Sequence, residues 1–147
     1  MSLSVGPFAA ADRPRWTALW TGYLDFYKTV LPQAVFDRQW ERLMDGREIM
    51  GLAARLDGGI VGITHYMYHP HGWTLGPCCY LQDLFVDPAV RGAGAGRALI
   101  EAVAVAARTH GAEKLYWLTQ GDNATARQLY DRLARHNGFI RYDYPPL

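Results

Sequence analysis

Apolar residues recur at helical spacing in two early stretches. Trp16, Leu19, Trp20 and Tyr23 share one face and predict a helix over 13–27, with Asp12 as its N-cap and Pro14 tolerated in the first turn. Phe36, Trp40 and Leu43 predict a second helix over about 33–44, stopped by Asp45-Gly46. Residues 3–7 read as a short first strand. Two β-like runs, 48–56 and 60–68, flank Asp57-Gly58-Gly59, a hairpin turn signal. The loop His69-Pro70-His71-Gly72 leads to 78–86, the strongest strand candidate, which Asp87-Pro88 ends. A glycine-rich stretch at 91–96 opens an alanine-rich helix that runs to His110, with Gly111 as its C′ residue. Leu115 to Thr119 reads as a strand, Asn123 caps a helix to about Arg135, and Phe139 to Tyr144 reads as a last strand. The order β-α-α-β-β-β-α-β-α-β combines a hairpin with crossover units. It predicts an α/β fold with a mixed sheet and helices on both faces.

Composition narrows the partners. At 147 residues and 50% apolar, the chain reads as one globular domain, 1–147. A net charge of +1 disfavours nucleic acid or a polybasic membrane contact. No uninterrupted apolar run approaches a membrane span, and the N-terminus has no signal-peptide pattern. The two cysteines, Cys78 and Cys79, are adjacent, which suits neither a disulfide nor a metal site and points to a reduced, cytoplasmic setting.

The chemistry-bearing motif is Arg91-Gly92-Ala93-Gly94-Ala95-Gly96-Arg97, placed between a strand and a helix. Glycines let backbone N–H groups approach a ligand, and the following helix end presents unpaired amides and the positive end of its dipole. A phosphate or pyrophosphate is the expected guest. A nucleotide-hydrolysing P-loop requires Gly-Lys-Ser/Thr where Arg97 stands. A dinucleotide fingerprint requires a third glycine at the same position and an early βαβ unit.

Arg91, Gly94 and Gly96 reproduce the Q/R-x-x-G-x-G/A signature, and on these residues the chain resembles the GNAT acetyltransferases. The resemblance extends to Val5–Asp12 at the start, and to Asn123–Tyr130 followed by Gly138-Phe139. Tyr80–Val86 is most similar to the small polyamine- and histone-acetylating branch, which includes the spermidine/spermine acetyltransferases. The resemblance implies the GNAT acyl-CoA N-acyltransferase fold, with a mixed, mostly antiparallel sheet. It also implies acetyl-CoA as co-substrate, no metal, and direct transfer to a primary amine: a polyamine, another small amine, or a basic peptide or protein. Relatives often dimerise, and the alternating tail from Phe139 to Leu147 suits pairing with a second copy.

On the same resemblance, the backbone of Gly92, Ala93, Gly94, Ala95, Gly96 and Arg97 holds the diphosphate, with Arg91 and Arg97 adding charge. Main-chain groups of Leu84, Phe85 and Val86 bond the pantetheine arm and the acetyl oxygen. Asn123 and Tyr130, seven residues apart on one helix face, meet the cofactor, and the Tyr130 phenol protonates the leaving thiolate. Spermidine/spermine enzymes carry Glu-Asp where this chain has Gln82-Asp83, and glutamine accepts no proton at neutral pH. Asp83 therefore takes the candidate role in amine handling, with a water chain as the other route; strand alternation points it away from Gln82. The missing glutamate keeps open a catalytically silent acetyl-CoA-binding module. In the first two helices, Asp25, Asp37 and Glu41 are candidates to attract an amine. Trp20, Tyr23, Tyr27 and Trp40 are candidates to sandwich it, although aromatics at helical spacing read first as core. His65, His69 and His71 lack an acidic or cysteine partner at metal-ligand spacing.

Overall fold

The computed structural model describes residues 2–147 in two units, one running to Trp117 and the other from Leu118 to Leu147. The first unit holds strands β1 (Leu3–Gly6), β2 (Met50–Leu56), β3 (Gly59–His69), β4 (Cys78–Val86) and β5 (Lys114–Tyr116). They form a single sheet in the order β1-β2-β3-β4-β5, antiparallel except for the parallel pair β4–β5. Asp57 and Gly58 both have positive φ, +51° and +89°, so the β2–β3 turn has the twist that a two-residue hairpin requires.

Helices cover both faces of this sheet. Helix α1 (Arg13–Phe26) and helix α2 (Gln33–Asp45) pack Trp16, Leu19, Trp20, Leu24, Trp40 and Leu43 against Ala53, Ile60 and Ile63. Helix α3 (Ala95–His110) sets Ala95 and Leu99 against Ala54 and Val61 on the opposite face. Adjacent Ala53 and Ala54 thus serve different cores, as strand alternation dictates. Trp20 and Trp40 belong to the first core, which removes them from the set of acceptor-contacting aromatics. Gly46 in the left-handed region closes α2.

Three expectations need correction. Asp12 does not cap α1 through its side chain; its carboxylate accepts from the Ala9 N–H at 2.7 Å and pairs with Arg55 at 2.6 Å. Asp37 and Glu41 likewise face cations of their own, Arg13 and Arg38. The third correction is the last strand. The second unit contains helix α4 (Ala124–Leu133), and residues 139–144 form no strand. Alternation supplies side chains for a sheet face but no hydrogen-bonding edge, and no strand within Leu118–Leu147 provides one. Phe139, Ile140, Tyr142 and Tyr144 are exposed. β5 is also shorter than the Leu115–Thr119 run.

Candidate functional site

Strand β4 is the spine of the site. Its register with β3 pairs His65 with Asp83 and Tyr66 with Leu81, so Gln82 is an extra residue, a β-bulge. β5 pairs only with Cys78, Cys79 and Tyr80. Beyond Tyr80, among the described residues, no strand is hydrogen-bonded to the edge of β4 opposite β3. Leu84, Phe85 and Val86, the residues expected to offer main-chain groups, lie in this unladdered stretch. Their side chains are partly buried and pack against the two cores: Leu84 and Val86 on the α3 side, Phe85 on the α1 side.

The turn after β4 is fixed by Asp87. Its N–H donates to the Val61 carbonyl at 2.8 Å, and its carboxylate accepts from the Ala89 N–H and from Arg15. Those two bonds hold the Asp87 carboxyl below the usual range, the backbone bond contributing most. Gly92 and Gly94 follow with φ of +89° and +84°. Gly94 is the N-cap of α3 and supplies no side-chain cap. The first intrahelical bond runs from the Ala98 N–H to the Gly94 carbonyl, which leaves the amides of Ala95, Gly96 and Arg97 without an intrahelical acceptor. A Cβ on Gly92 or Gly94 would meet no atom within 4 Å, so these glycines are demanded by backbone conformation and not by crowding, and the loop faces open space. This donor set fits a diphosphate. Arg91 lines an open cleft of about 450 Å³ together with Arg15, Gly22, Asp25, Phe26 and Phe85. Arg97 is paired with Glu101 one turn on, at 2.9 Å.

Asp83 is held in a buried polar chain that the sequence reading missed. His65, fully buried, places Nδ1 2.8 Å from Asp83 Oδ2. Trp16, also fully buried, donates its indole N–H to His65 Nε2 at 3.0 Å. Thr64 Oγ1 donates to the Asp83 carbonyl at 2.8 Å. The Tyr23 hydroxyl faces the same carboxylate, and burial and then the Asp83 charge push this phenol well above its ordinary value. Tyr27 is raised by burial and the same charge. The available signal was one ionisable residue at an inward position of an apolar strand, two residues after Ile63.

The other histidines serve elsewhere. His69 donates from Nδ1 to the Pro70 carbonyl and accepts at Nε2 from the Tyr116 hydroxyl, each at 2.8 Å. His71 Nδ1 accepts the Trp73 amide. No cluster of metal-ligating side chains occurs among the described residues. Cys78 and Cys79 are buried free thiols, and burial pushes the Cys79 thiol up to about 11, which suits no nucleophile.

In the second unit, Asn123 caps α4: its Oδ1 accepts from the Ala126 N–H at 3.3 Å, and its Nδ2 donates to Thr119. Tyr130 lies seven residues on in the same helix.

Comparison with known proteins agrees with this arrangement. A family model described as the acetyltransferase (GNAT) family matches residues 16–134. The D-amino-acid N-acetyltransferase HPA3 of Saccharomyces cerevisiae is 33% identical over 134 residues, covering 89% of this chain and 83% of that protein. The uncharacterized N-acetyltransferase YhfO of Bacillus subtilis is 29% identical over 136 residues, 91% of this chain and 89% of that one. Among solved structures, the aminoglycoside acetyltransferase AAC(6')-Iy with a CoA bisubstrate analogue superposes with a TM-score of 0.86 over the whole of both chains, at 16% identity. A ribosomal-protein-alanine N-acetyltransferase from Brucella melitensis biovar Abortus 2308 gives 0.79 at 23% identity, covering 98% of this chain and 99% of that one. The chain belongs to the GNAT family and is an acetyl-CoA-dependent transferase.

Proposed function

We propose that the protein acetylates a primary amine of a small molecule or basic peptide by direct attack on acetyl-CoA in a ternary complex. The observation that carries this reading is the turn from β4 into α3, where left-handed glycines precede three helix-end amides beside an unladdered strand edge. Gly92 to Arg97 bind the diphosphate through main-chain N–H groups, and Arg91 adds charge. Leu84, Phe85 and Val86 bind the pantetheine arm and direct a backbone N–H at the thioester oxygen. A preorganised donor to a developing oxyanion contributes about 2.7–4 kcal/mol.

Asp83 receives the acceptor's ammonium and takes its proton directly or through water. The freed amine attacks the carbonyl carbon, the C–N bond forms, and the C–S bond breaks. Tyr130, on the strength of the family pattern, gives its proton to the thiolate and is reprotonated through solvent by the proton that the nitrogen sheds as the amide forms; Asn123 completes the cofactor contacts from the same helix. Gln82 at the bulge is exposed and accepts no proton, so it takes no part in the transfer.

The acceptor is a primary amine of a small molecule or a basic peptide in this reading. HPA3 is named for D-amino acids and AAC(6')-Iy for aminoglycosides, and the Tyr80–Val86 resemblance favours polyamines or basic peptides. Release of CoA thiol from purified protein, measured across D-amino acids, polyamines, aminoglycosides and a lysine-rich peptide, tests the proposal. Turnover with at least one class is expected; CoA binding without thiol release on any of them would overturn it. The exposed alternating run from Phe139 to Tyr144 supports a homodimer paired through the tail. Sedimentation at several concentrations should show a dimer that Ile140→Asp weakens, and a monomer at every concentration would contradict it.

A further inference from the structure

We propose that His65 is a positioning residue that aims Asp83 at the acceptor amine, and that Trp16 locks His65 in the one tautomer able to do so. The inference rests on the amine-handling role of Asp83 given above.

An indole N–H only donates, so at 3.0 Å Trp16 occupies the lone pair of His65 Nε2. The ring proton then resides on Nδ1, where it points at Asp83 Oδ2 over 2.8 Å. The polarity of the whole chain, Trp16 to His65 to Asp83, is set from the Trp16 end. His65 is wholly buried, so no water replaces either bond. Thr64 Oγ1 fixes the Asp83 backbone independently. The bulge at Gln82 makes this second anchor necessary, because bulged strands lose ladder restraint at that point.

The clamp orients the carboxylate without cancelling its charge. The groups facing Asp83 are the Tyr23 hydroxyl from α1, the Tyr27 hydroxyl from the turn that ends α1, and the His65 ring from β3. Among the described residues, no lysine or arginine forms an ion pair with it. An arginine in place of His65 would hold Asp83 equally still but offset the negative charge that attracts an ammonium.

Three variants separate positioning from mere packing. His65→Asn retains a side-chain N–H near the place of Nδ1, His65→Leu keeps bulk without a donor, and Trp16→Phe releases the lock. Each is measured for kcat and KM toward the best amine of the panel, for CoA affinity by calorimetry, and for thermal midpoint. Nitrogen-15 NMR of the His65 ring reports the tautomer. Wild-type protein should show a proton on Nδ1 alone, and Trp16→Phe a mixture of tautomers. His65→Leu should lose about 10²-fold in kcat/KM for the amine, the size expected of a misplaced reacting group, with CoA affinity unchanged. His65→Asn should recover most of that loss. A wild-type proton on Nε2, or equal impairment of the Leu and Asn variants, overturns the proposal. If His65→Leu fails to fold, Trp16→Phe and His65→Asn decide it by the same readouts. Absent turnover in wild-type protein overturns the functional reading; turnover with unaltered His65→Leu kinetics overturns this inference alone.

Discussion

Replacing Gly94 by alanine separates backbone conformation from side-chain contact in the diphosphate loop. Gly94 has φ of +84°, and a Cβ there meets nothing within 4 Å. The substitution therefore acts through the left-handed backbone alone, at about 1–2 kcal/mol for an L-residue. Stiffening of the unfolded chain offsets this by about 0.4–1 kcal/mol, so a net loss near 1 kcal/mol follows. For a chain of this length that is about 2–4 °C in Tm. Gly58 is the matched control: it has φ of +89°, it also opens onto empty space, and it sits in the β2–β3 hairpin. Gly58→Ala should lower Tm by the same amount. The two variants part at the cofactor. Relief of strain at Gly94 turns helix-end amides away from the anion, and one lost charge-assisted hydrogen bond is about 1.5–3 kcal/mol. Gly94→Ala should weaken CoA binding about 10–100-fold by calorimetry, while Gly58→Ala leaves it unchanged. Equal Tm losses with wild-type CoA affinity in both variants would refute the cradle.

Other expectations follow from single residues. Tyr130→Phe should lower kcat about 10²–10⁴-fold with little change in CoA affinity, and wild-type-like turnover would remove Tyr130 from proton transfer. Asp83→Asn preserves shape but not charge, and kcat/KM for the amine should fall about 10²-fold or more while CoA titrations are unaltered. The Arg55 guanidinium, 2.6 Å away, is the largest influence on Asp12 and holds its carboxyl below the ordinary 3.8. A carboxyl lowered in the folded state contributes stability above its unfolded value, lost as pH falls from there through the folded value. Urea titrations should show wild type losing about 1 kcal/mol more than Asp12→Asn as pH falls below about 4; parallel losses would contradict the pairing. Cys79→Ser should keep activity, because no step uses the buried thiol.

Most of the fold was legible because its signals are local. The spacing of Trp16, Leu19, Trp20 and Tyr23 predicted α1, and β4 matches its predicted run, Cys78–Val86. The glycine turn was legible for the same reason: strand, left-handed residues and helix end are contiguous in sequence. What escaped depends on distance along the chain. The His65–Asp83 contact spans 18 residues, and Trp16–His65 spans 49. Periodicity marked Trp16 as core but cannot say which polar atom its N–H meets. The bulge at Gln82 is set by pairing with β3, so it leaves no trace in the β4 sequence itself. Phe139 to Tyr144 failed in the opposite sense: its alternation is strand-like, but a strand needs an edge that local sequence does not provide. Asp12 had the composition of a cap, and a long-range partner, Arg55, took its carboxylate instead.

The most direct measurement is a crystal structure of the protein with CoA and the best amine of the panel. The account predicts diphosphate oxygens within hydrogen-bond distance of the Gly92–Arg97 amides and the amine nitrogen beside Asp83. A diphosphate bound elsewhere, or an amine remote from Asp83, would contradict it.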